Sequence, residues 1–417
     1  MTTVYNPFGD YVWEFRSPRS KFGPGALNEL KVDLERLRVE KPFLITTKGW
    51  VKRGIVDRLR EILGKDVPYW DGVEPEPSAE SVEEAAKALA ESGADSVIAI
   101  GGGSALDTAK IANLLATYGG RVRDYVAPPY GEGKPVPGPV KPMVAVPTTA
   151  GTGSEVTSVA VVTLKDVGVK VGISSDFLRP SLALLDPELT MTVPPKVTAD
   201  TGMDALTHAV ESYIAKPYWA RERPEDPAKR PVYVGSFTVT DALAERAIEL
   251  IGKYLRRAVY QGRTDLEARS GMLIASYLAG LAFGNAGVGL AHAASYPLGG
   301  RYKVTHGEAV GILLPAVLEF NAPANYEKAK RVGELLTGEK CPERDPAKCA
   351  EWAANAIREL QRDIKFTPGL EAVGVKEEDL MEMAKETLNQ KRLLATNPRP
   401  VTEEDVYWVY KRSMRNY

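Results

Sequence analysis

The feature that most limits the fold of this chain is a short apolar run, Ser96–Ile100, that leads directly into three glycines at residues 101–103. A strand that ends in glycines and is followed at once by a helix is typical of a parallel sheet built from strand–helix–strand units. Apolar runs and amphipathic segments also alternate on its N-terminal side. The expected strands there are Pro42–Thr47 and Val67–Trp70, and the expected helices are Trp50–Leu63, Ala79–Ser92 and one that begins at Ala105.

The second half of the chain has a different pattern. A loop rich in proline and glycine, residues 127–141, precedes a further strand, Pro142–Val146, and helical patterns dominate after about residue 192. A length of 417 residues favours two domains. We therefore predict an α/β nucleotide-binding domain at residues 1–192 and an all-α domain at residues 193–417. Within the latter, Lys216–Gly235 is expected to be a surface loop between helices.

Two polar turns predict a dinucleotide site at the ends of neighbouring strands. Glycines let the backbone approach a pyrophosphate, and the free N–H groups at the start of the next helix attract it. A GGGS turn by itself also occurs where glycine serves packing only, so the prediction depends on the second, threonine-rich turn at residues 147–155. The expected contacts are Gly102, Gly103 and Ser104 in the first turn, and Thr148, Thr149 and Thr152 in the second.

The choice of cofactor depends on the end of the first strand. An acidic residue there would bind the adenosine 2′-hydroxyl of NAD, but this chain has Thr47 followed by Lys48. These two side chains could bind the 2′-phosphate of NADP, so we expect either NADP or NAD as the cofactor. The alternative is that Lys48 is only a solvated surface charge. Ser104 and Asp107 are expected to help position the nicotinamide half of the dinucleotide. The alternative for Asp107 is that its charge only compensates the dipole of the helix.

The three histidines of the chain, His208, His292 and His306, predict a metal site. Asp204 lies four residues before His208 in a segment, Thr201–Ile214, that reads as a helix capped by its first residue or the one before, so the two side chains share a face. One carboxylate with imidazoles suits a first-row divalent ion such as Fe²⁺ or Zn²⁺. The alternative is that they are ordinary core histidines.

The other two histidines are expected on separate elements, because the run from Pro297 to Gly300 reads as a break between them. A site formed by several helices is how metal ions are held inside helical bundles.

The charge balance excludes several classes of partner. Fifty-three basic and fifty-five acidic residues give a net charge of −2. The chain therefore has no excess of positive charge that would attract nucleic acid or an anionic membrane. No segment reads as a signal sequence or a membrane span, so we expect a cytoplasmic protein whose partners are small molecules or copies of itself. Cys341 and Cys349 are expected to be free thiols, or one local disulfide if the host is a hyperthermophile.

These residues together resemble the iron-dependent (group III) alcohol dehydrogenase family, whose fold is that of dehydroquinate synthase. The resemblance implies Asp204, His208, His292 and His306 as ligands of Fe²⁺ or Zn²⁺ in the helical, metal-binding domain. It also implies a dinucleotide held by the two turns with Val161 and Lys170, and a homodimer. The strings that carry it are FGPGA (22–26), GGGSALDTAK (101–110), PTTAGTGSE (147–155), LLDP (184–187), DTGMDALTHAVESY (200–213), FGNAGVGLAH (283–292) and HG (306–307).

Within that family the chain is most similar to the hydroxyacid-oxoacid transhydrogenase subgroup, which moves hydride between 4-hydroxybutyrate and 2-oxoglutarate. Arg301 or Lys303, close to His306, could bind a substrate carboxylate; the alternative is an exposed charged turn. Many members have a further histidine where this chain has Tyr296, so a proton-relay role for Tyr296 is a hypothesis beside simple packing. The strings are DYVAPPYGEGKPVPGPVKP (124–142), KVGISSDFLRPSLALLDP (170–187), RPVYVGS (230–236), DLEARS (265–270) and SYP (295–297).

The resemblance implies a metal-dependent NAD(P)-linked alcohol dehydrogenase or aldehyde reductase, in which a metal-bound alkoxide gives hydride to nicotinamide C4 in an interdomain cleft. The alternative is a transhydrogenase acting on hydroxyacid and oxoacid. Dehydroquinate synthase and glycerol dehydrogenase share the fold, but the strings around Thr148 and His208 fit the alcohol dehydrogenases better. A non-enzymatic scaffold would need neither the four ligands nor both turns.

Overall fold

The computed structural model describes residues 9–417, so residues 1–8, on which the absence of a signal sequence was partly judged, lie outside the described part. The chain forms two compact units. One is Ser17–Val193, and the other combines the described residues up to Arg16 with Pro194–Tyr417. The division at residue 192 stays a prediction, and the sequence did not predict that the segment before Ser17 packs with the helices.

The first unit has the expected alternation of strands and helices. Its six-stranded sheet is parallel throughout, in the order β1-β8-β5-β4-β2-β3, and β6 and β7 form a separate antiparallel pair. The α/β fold class is therefore confirmed for this half of the chain. The strands are β1 Arg19–Phe22, β2 Pro42–Ile45, β3 Tyr69–Trp70, β4 Ser96–Gly101, β5 Met143–Pro147, β6 Val159–Leu164, β7 Val169–Ser174 and β8 Leu182–Leu185, and the helices are α1 Leu30–Leu37, α2 Lys48–Lys52, α3 Ile55–Leu63, α4 Ala79–Glu91, α5 Gly103–Tyr118 and α6 Val122–Tyr125.

Both faces of the sheet are covered, which explains why residues 97–100 of the inner strand β4 are all apolar. Val97 and Ala99 of β4 belong to one buried cluster, with side chains of α4 and α5. Ile98 and Ile100 belong to a second cluster, with side chains of α1 and α3. Alternate residues of a strand point to opposite faces, so a strand between two helix layers needs apolar residues at every position.

The single helix predicted for Trp50–Leu63 is wrong. The structure has two helices there, Lys48–Lys52 and Ile55–Leu63, because Gly54 adopts a left-handed conformation with φ 79° that ends one helix and caps the next. The strand predicted for Val67–Trp70 is shorter as well, since only Tyr69 and Trp70 pair with β2.

The second unit is helical, as predicted. Its central helix, α7, is buried along most of its length and packs against α8, α9 and α11. The helices are α7 Pro195–Ile214, α8 Thr238–Gln261, α9 Leu266–Ala286, α10 Leu290–Tyr302, α11 His306–Asn321, α12 Tyr326–Thr337, α13 Pro346–Asp363, α14 Leu380–Thr387, α15 Lys391–Leu394 and α16 Glu403–Arg412.

Two helix boundaries differ from the prediction at prolines. Helix α7 begins at Pro195, six residues before the predicted Thr201, because proline is well suited to the first helical position, where its missing N–H has no partner to lose. Helix α10 runs through Pro297 to Tyr302, so the predicted break at Pro297–Gly300 is wrong. His292 and His306 still lie on different helices, because α10 ends at Tyr302 and α11 begins at His306.

The segment between α7 and α8 is only partly the surface loop that was predicted. It contains two short 3₁₀ turns, Tyr218–Ala220 and Pro227–Lys229, and most of it is exposed or half-buried. Its last residues, Tyr233–Gly235, are buried, and the amides of Val234 and Gly235 bond to the end of α9.

The expectation of free thiols is wrong. Cys341 and Cys349 form a disulfide, with Cα atoms 5.9 Å apart. The polar segment between α12 and α13 turns back on itself and brings the two residues together, so the alternative of one local disulfide is the arrangement found.

Within the described residues, no single helix is long and apolar enough to cross a membrane. Helices α9 and α10 meet that composition only as a pair, and the pair is bent by 103° at the break between them.

Candidate functional site

Three helices of the second unit bring the predicted metal ligands together. Asp204 and His208 lie one turn apart on α7, His292 lies in the first turn of α10, and His306 is the first residue of α11. One ligand atom from each of the four residues lies within 4.8 Å of every other. The first three side chains are buried and His306 is half-buried. The sequence therefore predicted a group of residues that the fold assembles, although they span about a quarter of the chain.

The spacing within the group suits an ion at its centre. Nδ1 of His208 and Nε2 of His306 each lie 3.7 Å from Oδ1 of Asp204, which is beyond hydrogen-bond length. The ring of His292 lies beside both other imidazoles, with centroid distances of 4.5 Å to His208 and 5.3 Å to His306. Three imidazoles and one carboxylate are a donor set typical of Fe²⁺ and Zn²⁺ sites.

Glu211 fixes the orientation of His292. Its buried carboxylate accepts hydrogen bonds from the backbone N–H of Ala291 (2.6 Å) and of Gly289 (3.0 Å), and it lies 2.5 Å from Nδ1 of His292. An ionised carboxylate only accepts, so Nδ1 carries the proton and Nε2 keeps its lone pair. Nε2 is buried, with no hydrogen-bond partner among the described residues. The neutral imidazole is thus prepared to ligate a metal, which a proton-bearing Nε2 could not do.

Helix packing around the group depends on a glycine. Gly307 follows His306, and a Cβ there would collide with the Asp200 carbonyl oxygen and lie 3.3 Å from Cβ of Asp204. Only glycine lets the start of α11 approach α7 this closely. On the other side, the ring of Phe283 stacks on His208 at 4.0 Å between centroids. The glycine therefore sets the distance between α11 and α7, and Phe283 fixes the ring of His208.

Asn397 supports the start of α10 together with Glu211. Its side-chain oxygen accepts from the backbone N–H of Leu290 (3.2 Å) and from the amide of Asn321 (3.1 Å). The first N–H groups of a helix have no partner within the helix, so these side chains replace the missing acceptors. The start of α10, which carries His292, is therefore held by two buried side chains from distant parts of the chain.

In the first unit, the two predicted cofactor turns lie side by side. Gly101 of β4 pairs with Pro147 of β5, so both turns leave the same edge of the sheet. A Cβ at Gly103 would lie 2.5 Å from Cγ2 of Thr152, and one at Gly102 would lie 3.3 Å from Oγ1 of Thr149. No side chain caps the start of α5, so its first N–H groups remain available to an anion.

Asp107 is half-buried on α5 of the first unit. Its carboxylate accepts from the Ser154 hydroxyl (2.6 Å) and from the backbone N–H of Val161 (2.9 Å), and it lies 3.9 Å from Nζ of the buried Lys110. Burial raises the pKa of Asp107, against the opposite effects of Lys110 and the two hydrogen bonds. The Asp107 side chain therefore connects α5 to Ser154 of the second turn and to Val161 of β6. These bonds stabilise the part of the fold that carries the predicted cofactor contacts.

The remaining predicted cofactor residues form two smaller groups. The Ser104 hydroxyl accepts from the backbone N–H of Glu76 (3.2 Å), and the Glu76 carboxylate accepts from Nζ of Lys170 (2.5 Å). Thr47 caps α2, with its hydroxyl 3.4 Å from the backbone nitrogen of Trp50. Lys48 is the first residue of that helix, at the carboxyl end of β2, the strand next to β4.

The suggestion that Arg301 binds a substrate carboxylate does not fit its contacts. Its guanidinium forms ion pairs with Glu382 and Glu386, which neutralise it. Lys303 follows the end of α10 and donates to the Gly300 carbonyl (3.0 Å). Tyr296 is half-buried, one turn after His292 on α10.

Sequence reasoning missed Glu211 and Asn397. Glu211 could have been found, because it lies three residues after His208 and seven after Asp204 and therefore shares their face of α7. Asn397 carries no comparable signal, since Leu290 and Asn321, through which it supports α10, are more than seventy residues away in the chain.

A parallel sheet with two glycine- and threonine-rich turns, together with a buried group of three imidazoles and a carboxylate, defines a metal-dependent oxidoreductase that uses a nicotinamide cofactor. A family model described as iron-containing alcohol dehydrogenase matches residues 17–187. A second model, described as the C-terminal part of the Fe-containing alcohol dehydrogenase family, matches residues 232–414. The chain belongs to the iron-containing alcohol dehydrogenase family.

Similar proteins match over almost the whole chain. A mitochondrial hydroxyacid-oxoacid transhydrogenase of Bos taurus is 38% identical over 426 residues, which cover 98% of this chain and 91% of that protein. An NAD-dependent methanol dehydrogenase of Bacillus methanolicus is 36% identical over 403 residues, covering 96% and 99%. Among solved structures, a 1,3-propanediol oxidoreductase is 37% identical with a TM-score of 0.86, covering 96% of this chain and 100% of that one.

Proposed function

We propose that the enzyme is an NAD(P)-linked alcohol dehydrogenase and aldehyde reductase in which Asp204, His208, His292 and His306 hold one divalent ion, Fe²⁺ or Zn²⁺. Oxidation of the alcohol would transfer a hydride to C4 of the nicotinamide and release the hydroxyl proton. The observation that carries this proposal is the orientation of His292, whose lone pair faces the other ligand atoms because Glu211 occupies its other nitrogen.

The protein's own side chains would supply positioning. An ion bound here acts as a Lewis acid on the substrate oxygen and makes an alcohol easier to deprotonate. Glu211 and Asn397 hold the start of α10, and Phe283 supports His208. In the first unit, the start of α5 and the threonines of the second turn would bind the pyrophosphate and ribose of the cofactor.

We propose that NADP is accepted at least as well as NAD. The support is the residue pair at the end of β2, where Thr47 and Lys48 offer a hydroxyl and a positive charge and no carboxylate to repel a 2′-phosphate. Replacing Lys48 by glutamate should raise KM for NADP about tenfold or more and change KM for NAD little. Equal effects on both cofactors would contradict this assignment.

A substrate panel tests the main proposal. Primary alcohols and aldehydes of increasing length are assayed with NAD, with NADP and without added cofactor, using protein loaded with Fe²⁺ or Zn²⁺ and protein treated with a chelator. Turnover that requires both a metal ion and a free nicotinamide supports the proposal. Turnover that survives complete removal of the metal ion would reject it.

A second candidate is a hydroxyacid-oxoacid transhydrogenase, favoured by the 38% identity to the Bos taurus protein of that name. Such an enzyme would oxidise 4-hydroxybutyrate and reduce 2-oxoglutarate in one cycle while it keeps its nicotinamide bound. Incubating both acids with purified protein and no free cofactor tests it. Formation of 2-hydroxyglutarate under these conditions favours this candidate over the dehydrogenase.

We also keep a homodimer, a cytoplasmic location and the absence of nucleic-acid or membrane partners as proposals. The net charge of −2 supports the last of these. Analytical ultracentrifugation at micromolar concentration tests the dimer, and fractionation of the source cells tests the location.

A further inference from the structure

An acidic residue of the first unit, Glu76, connects two groups that can each attract an anion. It lies in the segment between β3 and α4, and its backbone N–H donates to the Ser104 hydroxyl in the first turn of α5 (3.2 Å). Its carboxylate accepts from Nζ of Lys170 on β7 (2.5 Å). The uncapped start of α5 and the charge of Lys170 therefore lie on either side of a single residue.

The backbone of Glu76 is held in a conformation that is unfavourable for glutamate. Its φ is 53°, in the left-handed region that glycine and asparagine adopt most readily. The Thr163 hydroxyl of β6 donates to the Glu76 carbonyl (3.4 Å), and the backbone N–H of Thr163 donates to the carbonyl of Pro77 (2.8 Å). Hydrogen bonds to α5 and to β6 thus fix the point from which the Glu76 side chain extends to Lys170.

The two members of this ion pair differ in exposure. The side chain of Lys170 is 12% exposed, whereas that of Glu76 is 43% exposed. The carboxylate can therefore rotate into solvent, and an ion pair with an exposed member contributes little to stability. A pyrophosphate carries more negative charge than a carboxylate and can replace it beside the lysine.

We propose that the Glu76 carboxylate competes with the pyrophosphate of the nicotinamide cofactor for Lys170 and thereby weakens cofactor binding. This rests on the function proposed above, since it requires a dinucleotide at the start of α5. A dehydrogenase exchanges its cofactor in every cycle, and cofactor release often limits the rate. A carboxylate that returns to Lys170 as the phosphate leaves would speed that release.

Removing the negative charge of Glu76 should tighten cofactor binding. For Glu76→Gln we expect the Kd values of NADH and NADPH to fall by about three- to tenfold, because Lys170 is released and a repulsive charge is lost. The two cofactors share the pyrophosphate, so both should gain. Fluorescence titration without substrate measures the Kd values. At about 1 M salt, which screens exposed charges beyond about 3 Å, the gain should fall below about twofold.

Glu74→Gln is the matched control. Glu74 lies two residues earlier, its side chain is 41% exposed, and its carboxylate pairs with a different lysine, Lys165 (3.0 Å). The substitution removes the same charge and should leave both Kd values within about twofold of the wild type. If Glu74→Gln tightens binding as much as Glu76→Gln does, the effect is one of general charge and the proposal is wrong.

A double-mutant cycle tests whether Glu76 acts through Lys170. Lys170→Met should weaken binding of both cofactors, and Glu76→Gln added to it should change the Kd values by less than about twofold. A full gain in the absence of Lys170 would show that Glu76 acts without it, which contradicts competition for that lysine. Weaker binding by Glu76→Gln alone would show that the carboxylate helps to bind the cofactor, and it would also reject the proposal.

The binding measurements separate this proposal from the function on which it rests. Tighter binding by Glu76→Gln, in a protein that oxidises no alcohol, would keep the competition and reject the dehydrogenase. Turnover of alcohols with cofactor affinities equal in wild type and Glu76→Gln would keep the dehydrogenase and reject the competition. Wild-type protein that binds neither NADH nor NADPH would reject both.

Discussion

Replacing Glu211 by glutamine should weaken metal binding although Glu211 is not itself a ligand. The carboxylate accepts from three donors, at Oε1 from Ala291 and at Oε2 from Gly289 and His292. An amide has only one oxygen, so its NH₂ group must face at least one of these donors. If it faces Nδ1 of His292, the ring must move its proton to Nε2 and can no longer ligate. If it faces Ala291, a buried N–H loses its acceptor.

The cost follows from those bonds. An unsatisfied buried donor costs about 1–3 kcal/mol, and about 2 kcal/mol corresponds to roughly a 30-fold change in an equilibrium constant. Replacing a side chain that orients a metal-bound histidine typically costs about 10–100-fold in metal affinity. We therefore expect Glu211→Gln to raise the Kd for Zn²⁺ by about 30-fold and to lower the melting temperature of the metal-free protein by several degrees.

Competition with a chelator of known affinity measures the Kd, and calorimetry of metal-free and metal-loaded protein gives the two melting temperatures. Glu245→Gln is the control, because Glu245 accepts one hydrogen bond, from Tyr213, on a half-exposed site of α8. Metal affinity of Glu211→Gln within about twofold of the wild type would show that Glu211 does not set the orientation of His292.

Three further predictions use other parts of the molecule. His292→Ala or His306→Ala should abolish metal retention and turnover while the affinity for the cofactor stays largely intact, and an active metal-free variant would contradict the assignment. Burial raises the pKa of Glu155 from 4.5 to about 7. The folded state therefore holds a proton that the unfolded chain has lost, so stability should fall as the pH rises from about 4.5 to 7, and Glu155→Gln should remove that fall, on the order of 2–3 kcal/mol in denaturant titrations. Reducing the Cys341–Cys349 disulfide, which closes a loop with a sequence separation of 8, should cost roughly 2–3 kcal/mol of unfolding free energy, and an unchanged denaturation midpoint would contradict this.

The sheet and the ligand group could be predicted because their signals are local. The apolar run before Gly101 is buried on both faces, and Asp204 and His208 lie at helical spacing. Helix boundaries at prolines were harder, since Pro195 starts a helix and Pro297 lies inside one. Proline is compatible with the first turn of a helix and, less often, with its interior, and only tertiary packing decides which applies.

The support of the site could not be read from the sequence. Asn397 reaches Leu290 and Asn321 over separations that no local pattern encodes. Arg301 looked suitable for a carboxylate because of its closeness to His306 in sequence, but α14 provides two glutamates that neutralise it.

The assembly of the candidate ligand group from α7, α10 and α11 has a consequence for the stability of the protein before it binds a metal ion. The four candidate ligands are separated by up to about a hundred residues, so an ion bound by them would act as a reversible cross-link across that length of chain. Any opening of α10 away from α7 must then break metal bonds as well as helix packing. In a cell short of metal, the same opening would occur more often and expose α10 to proteases, so metal supply would set how long each molecule lasts as well as how fast it works.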